Sequence, residues 1–305
     1  MIIETSTFGN FEQVEEPRVL IIPVPYEHTT NFVKGTKLGP QSILNGSVYL
    51  SSFDDELWSS VNNLGINTLN FIKPEFVDSN SSQPFVEVEQ AVRDAVVGGS
   101  LPVIIGGEHS ISYGAIKAIY DLYPDVSILH FGAHVNMKSS VKNNKFNHSC
   151  MIQRIVEVMP ELKIVQIGIR NIFGEEAAWL DKVSPNVEMF FARDKNKWNV
   201  ADIISNLTKN VYITFDFSAF DSGIMPSTSK PEPGGLSWDL VVDILKNVCT
   251  FKEVVGMDFV ELSPIKDLDA PNYLAAKLVY KTIGYTFARE LGAFEEGESS
   301  LVASE

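Results

Sequence analysis

Two histidines and two carboxylates lie at the ends of separate apolar runs of this sequence. They are His109, His134, Asp216 and Glu261, and each lies at or just beyond the end of a run rich in Ile, Val and Phe. If the runs are parallel strands, their carboxyl ends meet at the edge of the sheet where α/β proteins bind ligands. Imidazole and carboxylate groups can together hold a divalent metal ion or transfer protons. The sequence therefore predicts one polar site at this edge.

The segments that must position these side chains alternate between apolar runs and amphipathic stretches. This alternation indicates βαβ units with right-handed crossovers, and the apolar runs are typical of strands buried on both faces. No repeat, linker or composition shift marks a boundary, so we predict one α/β domain over 1–305, a three-layer αβα sandwich with a mainly parallel sheet. The predicted strands are 19–24, 101–105, 126–131, 162–169, 187–191, 210–217 and 253–260, and the predicted helices are 39–52, 84–97, 109–122, 149–159, 174–181, 199–206, 237–248 and 270–291.

Composition excludes several classes of function. The chain has 305 residues, of which 45% are apolar, enough for a sizeable core. Its formal charge of −15 argues against nucleic acid or an anionic membrane surface as partners. No apolar stretch approaches the roughly 20 residues that span a bilayer, and the first residues lack the pattern of a signal peptide. With only two cysteines, Cys150 and Cys249, we predict a cytoplasmic protein.

Ordered segments over nearly the whole chain resemble the motifs of the ureohydrolases, the arginases, agmatinases and their relatives. The resemblance implies the arginase-like fold, and the segments are most similar to those of the agmatinase-type members. The segment 128–136, ILHFGAHVN, is similar to the family's metal motif F-D-A-H-x-D. The other resembling segments are VLIIPVPYE (19–27) with KGTKLGP (34–40), GGEHS (106–110), NHSC (147–150), TFDFS (214–218) followed by Asp221 and PEPGGL (231–236), and MDFVELSP (257–264).

The resemblance implies a role for each retained polar residue. In the family two metal ions, usually manganese and sometimes nickel, share ligands and a bridging hydroxide that attacks a guanidinium carbon. By resemblance, His109 ligates one metal, His134 ligates the other, and Asp216 is shared between them. The remaining inherited positions are His148 for proton shuttling, Asn147 for substrate binding, and Glu261, a catalytic position that also holds the guanidinium.

Three positions lack the carboxylate that the family places there. Gly132 stands at the bridging aspartate, Asn136 at the next and Ser218 at the last, so three of six ligands and one of four acids are kept. Two divalent ions a few ångströms apart repel strongly, and carboxylates are what make the pair tolerable. We therefore expect no two-metal site. One ion on the three retained ligands is conceivable, because two histidines and one acid form a known triad, although these ligands come from two different metal positions.

The retained residues also have ordinary structural explanations. His109 and His134 can be buried histidines satisfied by backbone or carboxylate groups. Glu261 can hold a planar cation in a bidentate ion pair, or it can pair with a local lysine or arginine. Both explanations are kept open by the sequence.

These patterns predict a ureohydrolase-like subunit that is non-catalytic alone and is a structural or regulatory partner of an active guanidino-compound hydrolase. Family members form trimers and hexamers, and some biguanide (metformin-type) hydrolases pair a competent subunit with one that lacks metal ligands. We expect a homologous subunit as partner, manganese or nickel in that subunit, and a guanidino small molecule as a further candidate ligand. The alternative is a stand-alone metal-dependent C–N hydrolase of the agmatinase or guanidinase type with a single or altered metal site.

Overall fold

A computed structural model describes residues 6–183 and 186–293 and contains one large sheet of eight strands and a small two-stranded hairpin. The seven predicted strands are all present, with bounds that agree to within a residue. In chain order the strands are β1 (Val19–Val24), β2 (Phe53–Asp54), β3 (Ser59–Ser60), β4 (Ile66–Thr68), β5 (Leu101–Gly106), β6 (Ser127–Phe131), β7 (Lys163–Ile169), β8 (Val187–Phe191), β9 (Asn210–Asp216) and β10 (Glu253–Val260).

The large sheet is parallel throughout its described pairings. Its strand order is β4-β1-β5-β10-β9-β6-β7-β8, while β2 and β3 form the antiparallel hairpin. The prediction missed β4 and the hairpin because these strands have only two or three residues, too few to show a hydrophobic period.

The helices form the two outer layers. Two predicted helices extend too far, since the chain beyond Ser47 and beyond Thr286 continues as short hydrogen-bonded turns rather than regular helix. The helices are α1 (Gly39–Ser47), α2 (Val86–Val97), α3 (Ser112–Leu122), α4 (Met151–Val158), α5 (Gly174–Val183), α6 (Val200–Ser205), α7 (Trp238–Phe251) and α8 (Ala270–Thr286).

Two hydrophobic clusters lie on opposite faces of the sheet. Alternate strand residues such as Leu129 and Val103 pack with α1, α6, α7 and α8, while Ile128 and Ile104 pack with α2, α3 and α4. The sheet is therefore buried on both faces, which explains why its strands read as continuous apolar runs. The predicted three-layer αβα sandwich is confirmed. No helix in 6–183 or 186–293 is long and apolar enough to cross a membrane.

The four central strands end at the same level. Ile105 of β5, Phe259 of β10, Phe215 of β9 and Phe131 of β6 pair in one continuous row across the sheet. The rings of Phe131 and Phe215 lie 5.0 Å apart and form a fully buried apolar floor. Residues that follow this row therefore emerge side by side at the carboxyl edge of the sheet.

Candidate functional site

A cavity of about 210 Å³ opens at the carboxyl edge of the sheet. Its walls are the loops that follow β1, β6, β7, β9 and β10. Five of the positions singled out in the sequence line it: His134, Asn136, His148, Asp216 and Glu261. His109, Gly132, Asn147 and Ser218 are not among the lining residues.

His109 is held in one tautomer by a buried chain of hydrogen bonds. The Thr214 hydroxyl donates to Asp258 Oδ1 at 2.7 Å, so it must accept from His109 Nε2, which is 2.9 Å away. The proton is then on Nε2, and His109 Nδ1 is left as an acceptor. The side-chain amide of Asn136 donates to that Nδ1 at 3.2 Å. The one lone pair of this imidazole is therefore used by Asn136.

The backbone conformation of Asn136 holds its side chain in this position. Its φ of 56° is left-handed, a conformation that asparagine tolerates better than most residues. Its carbonyl accepts from Ile152 N at the start of α4 at 3.0 Å, and the residue is only 5% exposed. The amide is thus fixed against His109 rather than free to leave the site.

Asp216 is a buried anion between two imidazoles. Its Oδ1 accepts from Ser218 N at 2.7 Å, and its Oδ2 lies 3.8 Å from His109 Nδ1. Burial acts to raise the pKa of Asp216, and the hydrogen bond from Ser218 acts to lower it. The Ser218 hydroxyl accepts from Ala133 N at 3.2 Å, so it ties β9 to the segment after β6.

Glu261 is a buried acid without a cationic partner. Its Oε1 accepts from His109 N at 2.7 Å and its Oε2 accepts from the Ser229 hydroxyl. Burial and the neighbouring charge of Asp216 raise its pKa to about 8. No lysine or arginine of the described ranges forms an ion pair with it, so pairing with a local base, one explanation left open by the sequence, is wrong. A cation placed against these oxygens would favour the ionised form.

His134 faces the cavity with an unsatisfied ring. Within the described parts of the chain its imidazole makes no hydrogen bond, and its Nε2 lies 3.6 Å from Glu232 Oε1. Burial lowers its pKa to about 4, so the ring is neutral at physiological pH. Glu232 itself is engaged by Asn171 and, at 3.3 Å, by Lys230. His134 is thus neither a satisfied core histidine nor part of a strong ion pair.

His148 and Asn147 lie at the start of a short helical turn on the cavity wall. His148 Nδ1 lies 2.8 Å from the Thr29 hydroxyl, and burial lowers the pKa of this histidine. Asn147 Oδ1 accepts from Ser149 N at 3.0 Å, which makes Asn147 the N-cap of the turn. The structure therefore brings His148 to the cavity, while the Asn147 side chain supports the loop.

The space beside Gly132 is taken by a neighbouring histidine. A Cβ added at Gly132 would lie 2.7 Å from His130 Nε2, a ring that is fully buried. Gln166 Nε2 donates to His130 Nδ1 at 2.8 Å and fixes that ring. Any side chain at position 132 therefore requires His130 to move.

Sequence reasoning assigned no role to the residues that hold the loops around the site. Glu108 accepts hydrogen bonds from the backbone of His28 and Thr29 and from the Ser110 hydroxyl, and so anchors the loop after β1. Asp221 accepts from three glycine backbone amides and organises the loop that carries Ser229. The sequence signal available for these two acids was their position near segments rich in hydroxyl residues or glycine. Lys138 and Lys230 also line the cavity, but no sequence signal indicated this, because they lie in loops several residues past the ends of their strands.

The polar groups do not fit the metal pair that the resemblance implies. In 6–183 and 186–293 no three His, Cys, Asp or Glu side chains are grouped to hold a metal ion. The His109 lone pair accepts from an amide, and a backbone-only residue stands at 132.

Comparison with known proteins identifies relatives of this chain. The arginase family model matches residues 17–284. The chain is similar to the N(1)-aminopropylagmatine ureohydrolase of Synechocystis sp., 33% identical over 278 residues and 88% of each chain. It is also similar to the enzyme of that name from Thermus thermophilus, 35% identical over 273 residues, covering 88% of this chain and 90% of the relative.

The fold agrees with these sequence similarities. The crystal structure of the agmatine ureohydrolase of Thermoplasma volcanium superposes with a TM-score of 0.82 at 28% identity, covering 95% of this chain and 97% of that one. The parallel sheet, the cavity at its carboxyl edge and the match over most of the chain lead to one conclusion: this protein belongs to the arginase family of ureohydrolases.

Proposed function

We propose that this chain is a ureohydrolase-like subunit that does not hydrolyse guanidino compounds alone and acts as a structural or regulatory partner of an active guanidino-compound hydrolase. One observation carries the proposal: the Asn136 amide donates to His109 Nδ1. A nitrogen lone pair that accepts a hydrogen bond is not available to a metal ion. The bound hydroxide that the family's reaction needs would have no support at this position.

The charge balance of the site supports the same proposal. Asp216, Glu261 and Glu176 are the acids among the residues that line the cavity, and burial raises the pKa of Glu261 and so disfavours its ionised form. Glu176 already accepts from the backbone amides of Met137 and Phe173, so the carboxylates present are a poor match for two divalent ions at close range. Reaching a metal-binding arrangement would require Asn136 to leave His109 and further carboxylates to enter.

Family membership supports the partner role. A chain with the arginase-like fold can associate with a homologous subunit, as the family resemblance implies, and in this proposal the catalytic metals, manganese or nickel, belong to that subunit. A homologous subunit with all six ligands is the partner that this proposal requires. A guanidino ligand in the cavity of the present chain would then modulate the complex.

A second candidate is favoured by His134. Its ring has no hydrogen bond within the described ranges and faces the same cavity as Asp216, His148 and Glu261. A stand-alone C–N hydrolase with a single ion would use this free imidazole together with Asp216. The relatives named as ureohydrolases are consistent with such an activity.

Metal analysis and turnover of the purified protein separate the two candidates. We expect less than one manganese or nickel ion per chain and no urea release from agmatine or N(1)-aminopropylagmatine after incubation with either metal. The Thermus thermophilus relative, prepared in parallel, is the positive control. Two bound ions with urea release would overturn the proposal, whereas one bound ion with urea release would establish the single-ion enzyme.

The partner role is tested by co-expression. We expect the chain to co-purify in a fixed stoichiometry with a homologous subunit that carries the full ligand set, and to change the yield or turnover of that subunit. Separate elution of the two chains with unchanged activity would contradict this role.

A further inference from the structure

Glu108 is a fully buried acid whose oxygens accept hydrogen bonds from the loop that follows β1. Its Oε2 accepts from the backbone amides of His28, Thr29 and Thr30 at 2.8, 2.6 and 3.2 Å. Its Oε1 accepts from the Ser110 hydroxyl at 2.6 Å and lies 2.8 Å from the Thr29 hydroxyl. A carboxylate surrounded by donors acts as an acceptor only, so the Thr29 hydroxyl donates its single proton to Glu108.

The Thr29 oxygen is then an acceptor for His148. It accepts from His148 N at 3.0 Å, and His148 Nδ1 lies 2.8 Å from it. Because the hydroxyl proton is already given to Glu108, a hydrogen bond at this distance requires the proton to be on His148 Nδ1. Burial lowers the pKa of His148 and so favours the neutral ring, which leaves Nε2 with a lone pair.

Nε2 is the ring nitrogen of His148 that remains for a molecule in the cavity. His148 lines the cavity, and its other nitrogen is turned to Thr29. Among the residues that the structure describes, no group forms a hydrogen bond with Nε2. A histidine without a fixed Nδ1 proton could instead present an N–H here. The contact with Thr29 therefore decides whether the cavity meets an acceptor or a donor.

We propose that Thr29 is a positioning residue that fixes His148 as the Nδ1–H tautomer, so that Nε2 faces the cavity as a proton acceptor. Glu108 completes the arrangement by fixing the direction of the Thr29 hydroxyl. This inference goes beyond the proposed function, because none of the three retained metal-ligand positions takes part in it. A molecule bound against His148 must then present an N–H or O–H group to Nε2.

Nuclear magnetic resonance of the ring nitrogens tests the proposal directly. The full chain is labelled with ¹⁵N-histidine, and proton–nitrogen correlation spectra at neutral pH distinguish a protonated ring nitrogen from a bare one. His148→Gln identifies the His148 signals by their loss. We expect a protonated Nδ1 and a bare Nε2 in the unaltered chain, without any added metal or ligand.

Variants of the neighbouring threonines assign the tautomer to one hydroxyl. Thr29→Val removes the acceptor and should change the ratio of Nδ1–H to Nε2–H by on the order of tenfold, the effect of one hydrogen bond. Thr29→Ser restores the hydroxyl and should retain the Nδ1–H form. Thr30→Val is the matched control, because the Thr30 hydroxyl lies 3.5 Å from Glu108 Oε2 and forms no hydrogen bond with His148. Thermal melting shows whether each variant is folded.

Each contrary outcome would overturn the inference. A protonated Nε2 in the unaltered chain would do so even if Thr29→Val failed to fold. An unchanged tautomer in folded Thr29→Val, or its loss in Thr29→Ser, would show that the hydroxyl is not what holds the Nδ1 proton. An equal change in Thr30→Val would assign the effect to the loop as a whole. None of these spectra depends on metal content or urea release, which decide the proposed function separately.

Discussion

Two buried groups of charged residues in this molecule differ in whether their charges are paired within the chain. On the α8 side of the sheet, Asp54 is fully buried and accepts from Lys281 Nζ at 2.9 Å, and Lys281 also contacts Glu56 at 3.1 Å. At the cavity, Asp216 and Glu261 are nearly as buried but have only neutral or weakly basic neighbours. The first group is complete within the chain. The second is left open for a cation from outside, which is the property of a binding site.

The largest effect is expected from breaking the complete group. Lys281→Met leaves Asp54 buried without its closest cation and should lower the free energy of unfolding by about 3 to 5 kcal/mol. Urea denaturation followed by circular dichroism measures this change. Lys277→Met is the control, since its Nζ is 3.7 Å from Asp54 and the closer Lys281 remains. A loss below about 1 kcal/mol for Lys281→Met would contradict the distinction between the two groups.

Filling the space at Gly132 is expected to have the next largest effect. Gly132→Ala places a methyl group 2.7 Å from His130 Nε2 and should destabilise the fold by about 1 to 3 kcal/mol. The melting temperature and urea midpoint measure it, and Gly174→Ala, where an added Cβ meets nothing within 4 Å, tests a position with open space. If the two substitutions cost the same, His130 is not the obstacle.

The same position limits the recovery of a metal site. Gly132→Asp, Asn136→Asp and Ser218→Asp together return the family's acids and free His109 Nδ1 from the Asn136 amide. We expect manganese to raise the melting temperature of this triple variant but not that of the unaltered chain. Metal analysis after dialysis provides the second readout. Absence of any manganese effect would indicate that the His130 ring blocks the returned aspartate.

Removing the charge at the open group should have a smaller effect of opposite sign. Glu261→Gln keeps an oxygen that can accept from His109 N and removes a carboxylate that has no cationic partner. We expect unfolding free energy to be unchanged or raised by about 1 kcal/mol. Chemical denaturation at pH 7 tests the sign, and a loss of more than about 1 kcal/mol would show that Glu261 is compensated within the chain.

The smallest effect is expected in the dependence of stability on pH. Attraction and hydrogen bonds from Lys281, Lys246 and Tyr285 outweigh burial and lower the pKa of Glu56 to about 2. A carboxyl group with a lowered folded pKa stabilises the fold above its unfolded pKa, and this contribution is lost as the pH falls from about 4 towards 2. The free energy of unfolding of Glu56→Gln should therefore change less with pH between these values. Above pH 5 its pH profile should run parallel to that of the unaltered protein. Thermal melts across this range check it.

The strands could be predicted because both faces of the sheet are buried, so each strand reads as one apolar run. The strand-end rule then located His134, Asp216 and Glu261 together, since parallel strands ending in one row must bring their next residues together. The rule could not locate Lys138 or Lys230, whose positions depend on loop paths. Nor could the sequence foresee that the Asn136 amide points at His109 Nδ1, because the direction of that amide depends on a left-handed backbone and on Thr214 and Asp258 behind the ring.

The hydrogen bond from His109 N to Glu261 joins residues separated by 152 positions. Because the central strands are neighbours in space but distant along the chain, loop closure must precede the contacts that join residues of different strands in the cavity. The site around Asp216 and Glu261 should therefore be among the last features to form during synthesis, only after β10 has entered between β5 and β9. Binding of a guanidino ligand would then report completed folding of the whole chain.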